Sequence, residues 1–154
     1  GRDALPVPAS RRNVAMVFQT LALYPHMTAG QNIGFGLKLR RMPPRAIRQE
    51  VRDMAGRLRI DHGLDRHPAE LSSGERQRLA LLRLLSGRPE ALLLDEPTAN
   101  LDEQSGRQVE QLITEYRRGG GAVLWVSHDP QQCRRVAERG LTIDNQQLRE
   151  LQWT

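Results

Sequence analysis

The 154 residues suffice for one domain with its own core, and 38% apolar with 27% charged residues is an ordinary balance for a soluble globular protein. No apolar run approaches a membrane span, the first residues lack the basic-then-apolar layout of a signal peptide, and a single cysteine, Cys133, excludes an internal disulfide; together these imply the cytoplasm. The formal charge of +5 comes mostly from arginines scattered along helical segments, and aromatics reach only 4%, so the charge reads as solvated helix faces and no nucleic-acid partner is expected.

Residues 1–13 contain two prolines and no periodicity and read as a loop. The apolar run "VAMVF" (14–18) fits a buried strand, and the chain from Leu21 to Gln31 is turn-rich. "NIGFGLKLRR" reads as a helix weakened by two glycines. Pro43-Pro44 then opens an amphipathic helix with Ile47, Val51, Met54, Ala55 and Leu58 on its apolar face. After the connector "HGLDRHPAE" comes a second helix, "SGERQRLALLRLLSG", apolar nearly all round in its second half and expected to be buried there. "ALLLDE" (91–96) is a strand. Val109, Leu112, Ile113 and Tyr116 mark a helix that ends in three glycines, and "AVLWVSH" (122–128) is another strand. A short helix in "QQCRRVAERG" and a hairpin around Asp144-Asn145 complete the chain. Alternation of apolar strands with helices implies a parallel, three-layer α/β core, interrupted between Leu21 and Gly87 by a helical subdomain.

Several residues have chemistry suited to a phosphate. Asp95 and Glu96 end an unbroken apolar strand, where one carboxylate can hold magnesium through water and the next can polarise an attacking water. In "LSSGE" (71–75), Ser72 is a natural N-cap, and the N–H groups of Ser73, Gly74 and Glu75 lie at the positive end of a helix. The same residues also fit a plain capping box, Ser72 with Glu75. Gln19 and His128, each following a strand, can reach the same edge of a sheet; an exposed polar residue is the plainer reading of both. His26, His62 and His67 have no metal-ligand spacing and receive no chemical role.

In order, "VFQ", "LSSGERQRLALLRLL", "ALLLDEPTANLD" and "VLWVSHD" resemble the ATP-binding-cassette (ABC) ATPase family through its Q-loop, signature motif, Walker B strand, D-loop and H-loop. The resemblance implies a P-loop NTPase core of ABC type, formed here by residues 1–20 and 88–154, with residues 21–87 as the helical subdomain. It implies ATP and Mg2+ as cofactors, Asp95 and Gln19 near the metal, and Glu96, His128 and Gln19 as the catalytic set. Ser72, Ser73, Gly74, Glu75 and Asp102 would act on nucleotide bound by a second ABC ATPase domain in a head-to-tail dimer. It further implies an energy-coupling subunit on the inner face of the cell membrane. A transmembrane transporter subunit would contact the region after Gln19, at Tyr24, Pro25 and His26, a region most like sugar and glycerol-phosphate importers.

The family's phosphate loop, G-x-x-x-x-G-K-[ST], does not occur in the 154 residues, so they are expected to be the C-terminal part of a cassette and inactive alone. Ser73 also stands where the usual signature has its first glycine. The alternative expectation is a non-catalytic module that lends its signature motif to a complete ATPase.

Overall fold

A computed structural model describes residues 13–17, 21–144 and 146–151. Gln19, expected at the metal and in the catalytic set, lies outside the described residues. Three short apolar runs become β1 (Val14–Val17), β2 (Ala91–Asp95) and β3 (Ala122–Val126), all parallel, in the order β1-β2-β3. Val14 aligns with Ala91 and Ala91 with Ala122, so β2 is central and the carboxyl ends of all three strands point the same way. The expected hairpin is present as β4 (Gly140–Asp144) and β5 (Gln147–Leu151), with Gln146 taking the left-handed turn conformation at φ 63°.

The helices are α1 (Ala29–Leu39), α2 (Pro44–Arg57), α3 (Ser73–Ser86), α4 (Glu103–Arg118) and α5 (Pro130–Val136). Two short 3-10 turns, Asp61–Gly63 and Pro68–Glu70, occupy the connector between α2 and α3. Thr28 and Gln31 form a reciprocal capping box that starts α1, and Pro44 fixes the first turn of α2. The glycines of α1 allow close packing. A Cβ on Gly36 would lie 2.7 Å from Ser86 Oγ and 2.8 Å from the Gly87 nitrogen, so α1 meets the end of α3 almost backbone to backbone. The second half of α3 is buried all round, as its composition predicts, through Leu79, Ala80, Leu81, Leu82 and Leu85.

One apolar cluster joins α1, α2 and α3 (Ile33, Val51, Leu82) to β2 (Leu92, Leu94) and α4 (Val109, Ile113). The segments assigned to helical subdomain and core on sequence grounds therefore share a continuous interior. Leu92 and Leu94 face this cluster, with Ala15, Val123 and Trp125 packed against it. The pleat places Met16, Leu93, Leu124 and Val126 on the opposite face, and there Leu124 is 55% and Val126 47% exposed. Among the described residues that face is open, and the parallel α/β arrangement is the one expected. β-strands apolar on both faces announce a covered sheet but do not carry the cover themselves.

Candidate functional site

The carboxyl end of β2 brings the two acidic residues to the rim of the sheet. Asp95, paired in register with Val126, continues the open face and is exposed. At Glu96 the backbone turns to φ +47°, a left-handed conformation that is costly for a residue with a Cβ. Four hydrogen bonds hold it there. Its N–H donates to the Val126 carbonyl at 3.0 Å, and its carbonyl accepts from the Ala99 N–H at 3.2 Å. That carbonyl also accepts from Gln77 Nε2 at 3.1 Å, and the carboxylate Oε1 accepts from the His128 N–H at 2.7 Å. The His128 ring is 97% exposed, with Nε2 3.7 Å from Glu96 Oε1. Glu96 and His128, 32 residues apart in sequence, therefore meet through adjacent parallel strands.

Magnesium keeps several waters and takes one or two carboxylates plus phosphate oxygens. An exposed Asp95 beside Glu96 fits that donor set. Among the described residues no group of three or more His, Cys, Asp or Glu forms a cage for a metal.

The N-terminus of α3 is built as a capped helix start. Ser72 Oγ accepts from the Glu75 N–H at 3.2 Å, and Glu75 Oε2 accepts from the Ser72 N–H at 2.8 Å. The other Glu75 oxygen lies 2.8 Å from His62 Nε2. The Ser72 hydroxyl, then the Ser72 N–H and His62, lower the Glu75 pKa to about 2 against the opposing pull of burial. Both Glu75 oxygens and its N–H are thus engaged within the chain, which leaves the Ser73 and Gly74 N–H groups as the orphan donors of the first turn. His62, given no role on sequence grounds, proves to be the partner of Glu75.

Asp102 caps α4, accepting from the Ser105 N–H at 2.9 Å and the Ser105 hydroxyl at 2.8 Å, and these bonds lower its pKa. Arg78 on α3 donates to the same hydroxyl at 2.9 Å. A Cβ on Gly74 would stand 3.3 Å from Leu101 Cδ2, so the first turn of α3 lies against the loop that leads to Asp102. Ser72–Glu75, Asp95–Glu96, Asp102 and His128 accordingly belong to one connected region. Sequence reasoning missed Gln77 and Gln132, whose Nε2 bonds Thr98 Oγ1 at 2.8 Å and Glu110 Oε1 at 2.9 Å. Gln77 lies within the signature run but outside the residues given a role there, and Gln132 has no periodic or motif signal.

A second region shares no residue with this centre. An open groove of about 1060 Å³ runs between α1 and α2, floored by Phe35, Ile47 and Val51 and rimmed by Lys38, Arg48 and Arg52. His26 and Met27 reach one end of it. The loop that carries them is fixed by Asn32, fully buried, whose Oδ1 accepts from the Tyr24 N–H at 2.9 Å. Its Nδ2 donates to the carbonyls of Tyr24, Met27 and Thr28 at 3.0–3.2 Å. The Arg83 guanidinium lies 4.6 Å over the Tyr24 ring and links this loop to α3.

The family model described as "ABC transporter" matches residues 2–99. The sulfate/thiosulfate import ATP-binding protein CysA of Nephroselmis olivacea is 37% identical over 152 residues, which span 98% of this chain and 44% of the relative. The sn-glycerol-3-phosphate import ATP-binding protein UgpC of Jannaschia sp. (strain CCS1) is 40% identical over 91% of this chain and 40% of its own length. The trehalose/maltose import ATP-binding protein MalK of Thermococcus litoralis is 43% identical over 86% of this chain and 36% of its own. The chain thus spans less than half the length of these curated relatives. Among solved structures, a dimeric post-hydrolysis state of the ATP-binding cassette MJ0796 bound to ADP and Pi superimposes with a TM-score of 0.79 at 26% identity. That match covers 92% of this chain and 64% of the other. The match to the family model and the superposition agree, and the chain belongs to the ABC transporter family, with the fold of its ATP-binding cassettes.

Proposed function

We propose that the chain is the signature-and-Walker-B part of an ATP-hydrolysing, energy-coupling subunit of a membrane importer. The observation that carries this reading is the meeting of Glu96 and His128 at the carboxyl ends of adjacent parallel strands, joined by a 2.7 Å hydrogen bond. In this reading Asp95 and Gln19 would hold Mg2+, which would supply charge stabilisation to a bound ATP, and Glu96 would accept the proton of an attacking water. His128 steadies the terminal phosphate. Ser72, Ser73 and Gly74 present the start of α3 to nucleotide held by a second cassette; Glu75 shapes that turn, and Asp102 lies beside it at the dimer interface. In the same reading residues 1–20 and 88–154 would belong to the core part of the cassette and residues 21–87 to its helical subdomain.

The segment that supplies the phosphate loop would lie on the open sheet face, because Asp95 belongs to that face. The groove between α1 and α2, lined by His26, with Tyr24 and Pro25 next to it in the chain, would receive the transmembrane subunit. In this reading the chain would lie on the cytoplasmic side of the membrane. Among the described residues no helix is long and apolar enough to cross one. The relatives' cargoes include sulfate, glycerol phosphate and sugars. Cargo choice is therefore assigned to the partner subunits rather than to this chain.

The test combines the chain with a separately produced phosphate-loop segment of a glycerol-3-phosphate importer relative and measures magnesium-dependent ATP hydrolysis. Glu96→Gln is expected to lower turnover by about 100-fold or more. Turnover unchanged by that substitution, or no nucleotide binding at all, overturns the reading. A second reading, a non-catalytic module serving a complete ATPase, is favoured by the fully formed cap of α3, which needs no other segment to present the Ser73 and Gly74 N–H groups. Stimulation of a complete cassette that survives Glu96→Gln but is lost with Gly74→Asp would select it.

A further inference from the structure

Gln77 lies on the α3 face that packs toward the end of β2 and is only 6% exposed. Burying an amide without partners is expensive, so its environment identifies what it serves. Its Nε2 donates to the Glu96 carbonyl, and its Oε1 has no hydrogen-bond partner in the structure. A leucine would fill such a site without that cost. The amide is there for the one bond it makes, and that bond falls on a residue whose backbone is left-handed at φ +47°. The other groups on the Glu96 peptide, Val126 and Ala99, come from the sheet and from the loop after it. Gln77 alone attaches it to the helix whose first turn carries Ser72, Ser73 and Gly74.

We propose that Gln77 is a positioning residue that holds the Glu96 peptide in its left-handed conformation, so that the first turn of α3 and the Glu96 carboxylate keep a fixed relative placement. The conformation belongs to the chain whatever its chemistry, but its use rests on the reading of Glu96 as the base. A shift of α3, such as a nucleotide on its N-terminus would favour, would then be passed to Glu96 through a single side chain. Ser73 and Gly74 lie on the same helix as Gln77, so a rigid shift of that helix moves all three together.

The experiment is nuclear magnetic resonance on the full chain without nucleotide. In the unaltered protein the Glu96 Cα and Cβ shifts are expected in the left-handed range. The Gln77 side-chain amide protons should exchange with solvent more slowly than those of exposed Gln104. In Gln77→Met, which keeps the volume and removes the donor, the Glu96 shifts should leave that range. Its amide should exchange about tenfold faster while that of Ile33 in α1 is unchanged. Gln77 amide protons exchanging as fast as those of Gln104, or Glu96 shifts unaltered in a folded Gln77→Met protein, overturn the proposal. If Gln77→Met does not fold, the exchange and shifts of the unaltered chain decide alone. Failure of the catalytic reading shows separately, as hydrolysis insensitive to Glu96→Gln, and leaves these signatures in place.

Discussion

Glu75 gives the first turn of α3 a dependence on acid. Its folded-state pKa of about 2 lies below the ordinary 4.5, so the stability it contributes is fully present above 4.5 and is lost as pH falls toward 2. Denaturation midpoints should therefore drop more steeply between pH 4.5 and about 2 in the unaltered chain than in Glu75→Gln. Parallel acid limbs would mean that the carboxylate is bonded equally in the unfolded chain. The cap itself was legible in the sequence because Ser72 and Glu75 are three residues apart and their bonds are local. The partners of His62 and Gln77 were not, since they lie 13 and 19 residues away and meet only after the chain has folded. Asp102, which the family pattern marked for an interface, also proves through its bonds to Ser105 to be the cap of α4.

Between elements, the tightest contact is that of α1 with α3. Gly36→Ala would drive a methyl into Ser86 Oγ, which could turn aside only by leaving its bond to the Arg83 carbonyl, and into the Gly87 backbone, which cannot turn aside. Thermal or urea unfolding should show a loss of about 1–3 kcal/mol, opposite in sign to the gain that helix propensity alone predicts for glycine to alanine. Ser72→Ala should cost about 1 kcal/mol by the same measurement, as loss of an N-cap does. The sequence marked the glycines of α1 as a weakness. Their packing shows them to be a condition of the helix pair, which local propensity has no means of registering. Helix positions and strand runs were readable because periodicity is a property of neighbours along the chain. The sharing of one core between the helical segment and β2 is not such a property.

For the molecule as a whole, the open sheet face is the feature with the largest consequence. Parallel sheets are rarely left bare, and Met16, Leu124 and Val126 form a contiguous apolar surface. A dye that brightens in apolar surroundings should respond strongly to the chain, and Met16→Lys with Leu124→Lys should abolish most of the signal. A weak response from the unaltered chain would mean that the face is covered. Because no phosphate loop lies within the 154 residues, the polypeptide alone is expected to show no magnesium-dependent ATP turnover, measured as phosphate release. Strand composition predicted a sheet buried on both sides, but nothing in a strand says which segment does the burying.

The Asn32 side chain, with its four hydrogen bonds to the loop from Tyr24 to Thr28, bears on how fast another molecule can be met at that surface. A loop already held in one shape loses little ordering entropy on contact, so a partner docking there as proposed would meet it as a rigid body. The rate of such an encounter would be set by diffusion and orientation, with no slow folding step.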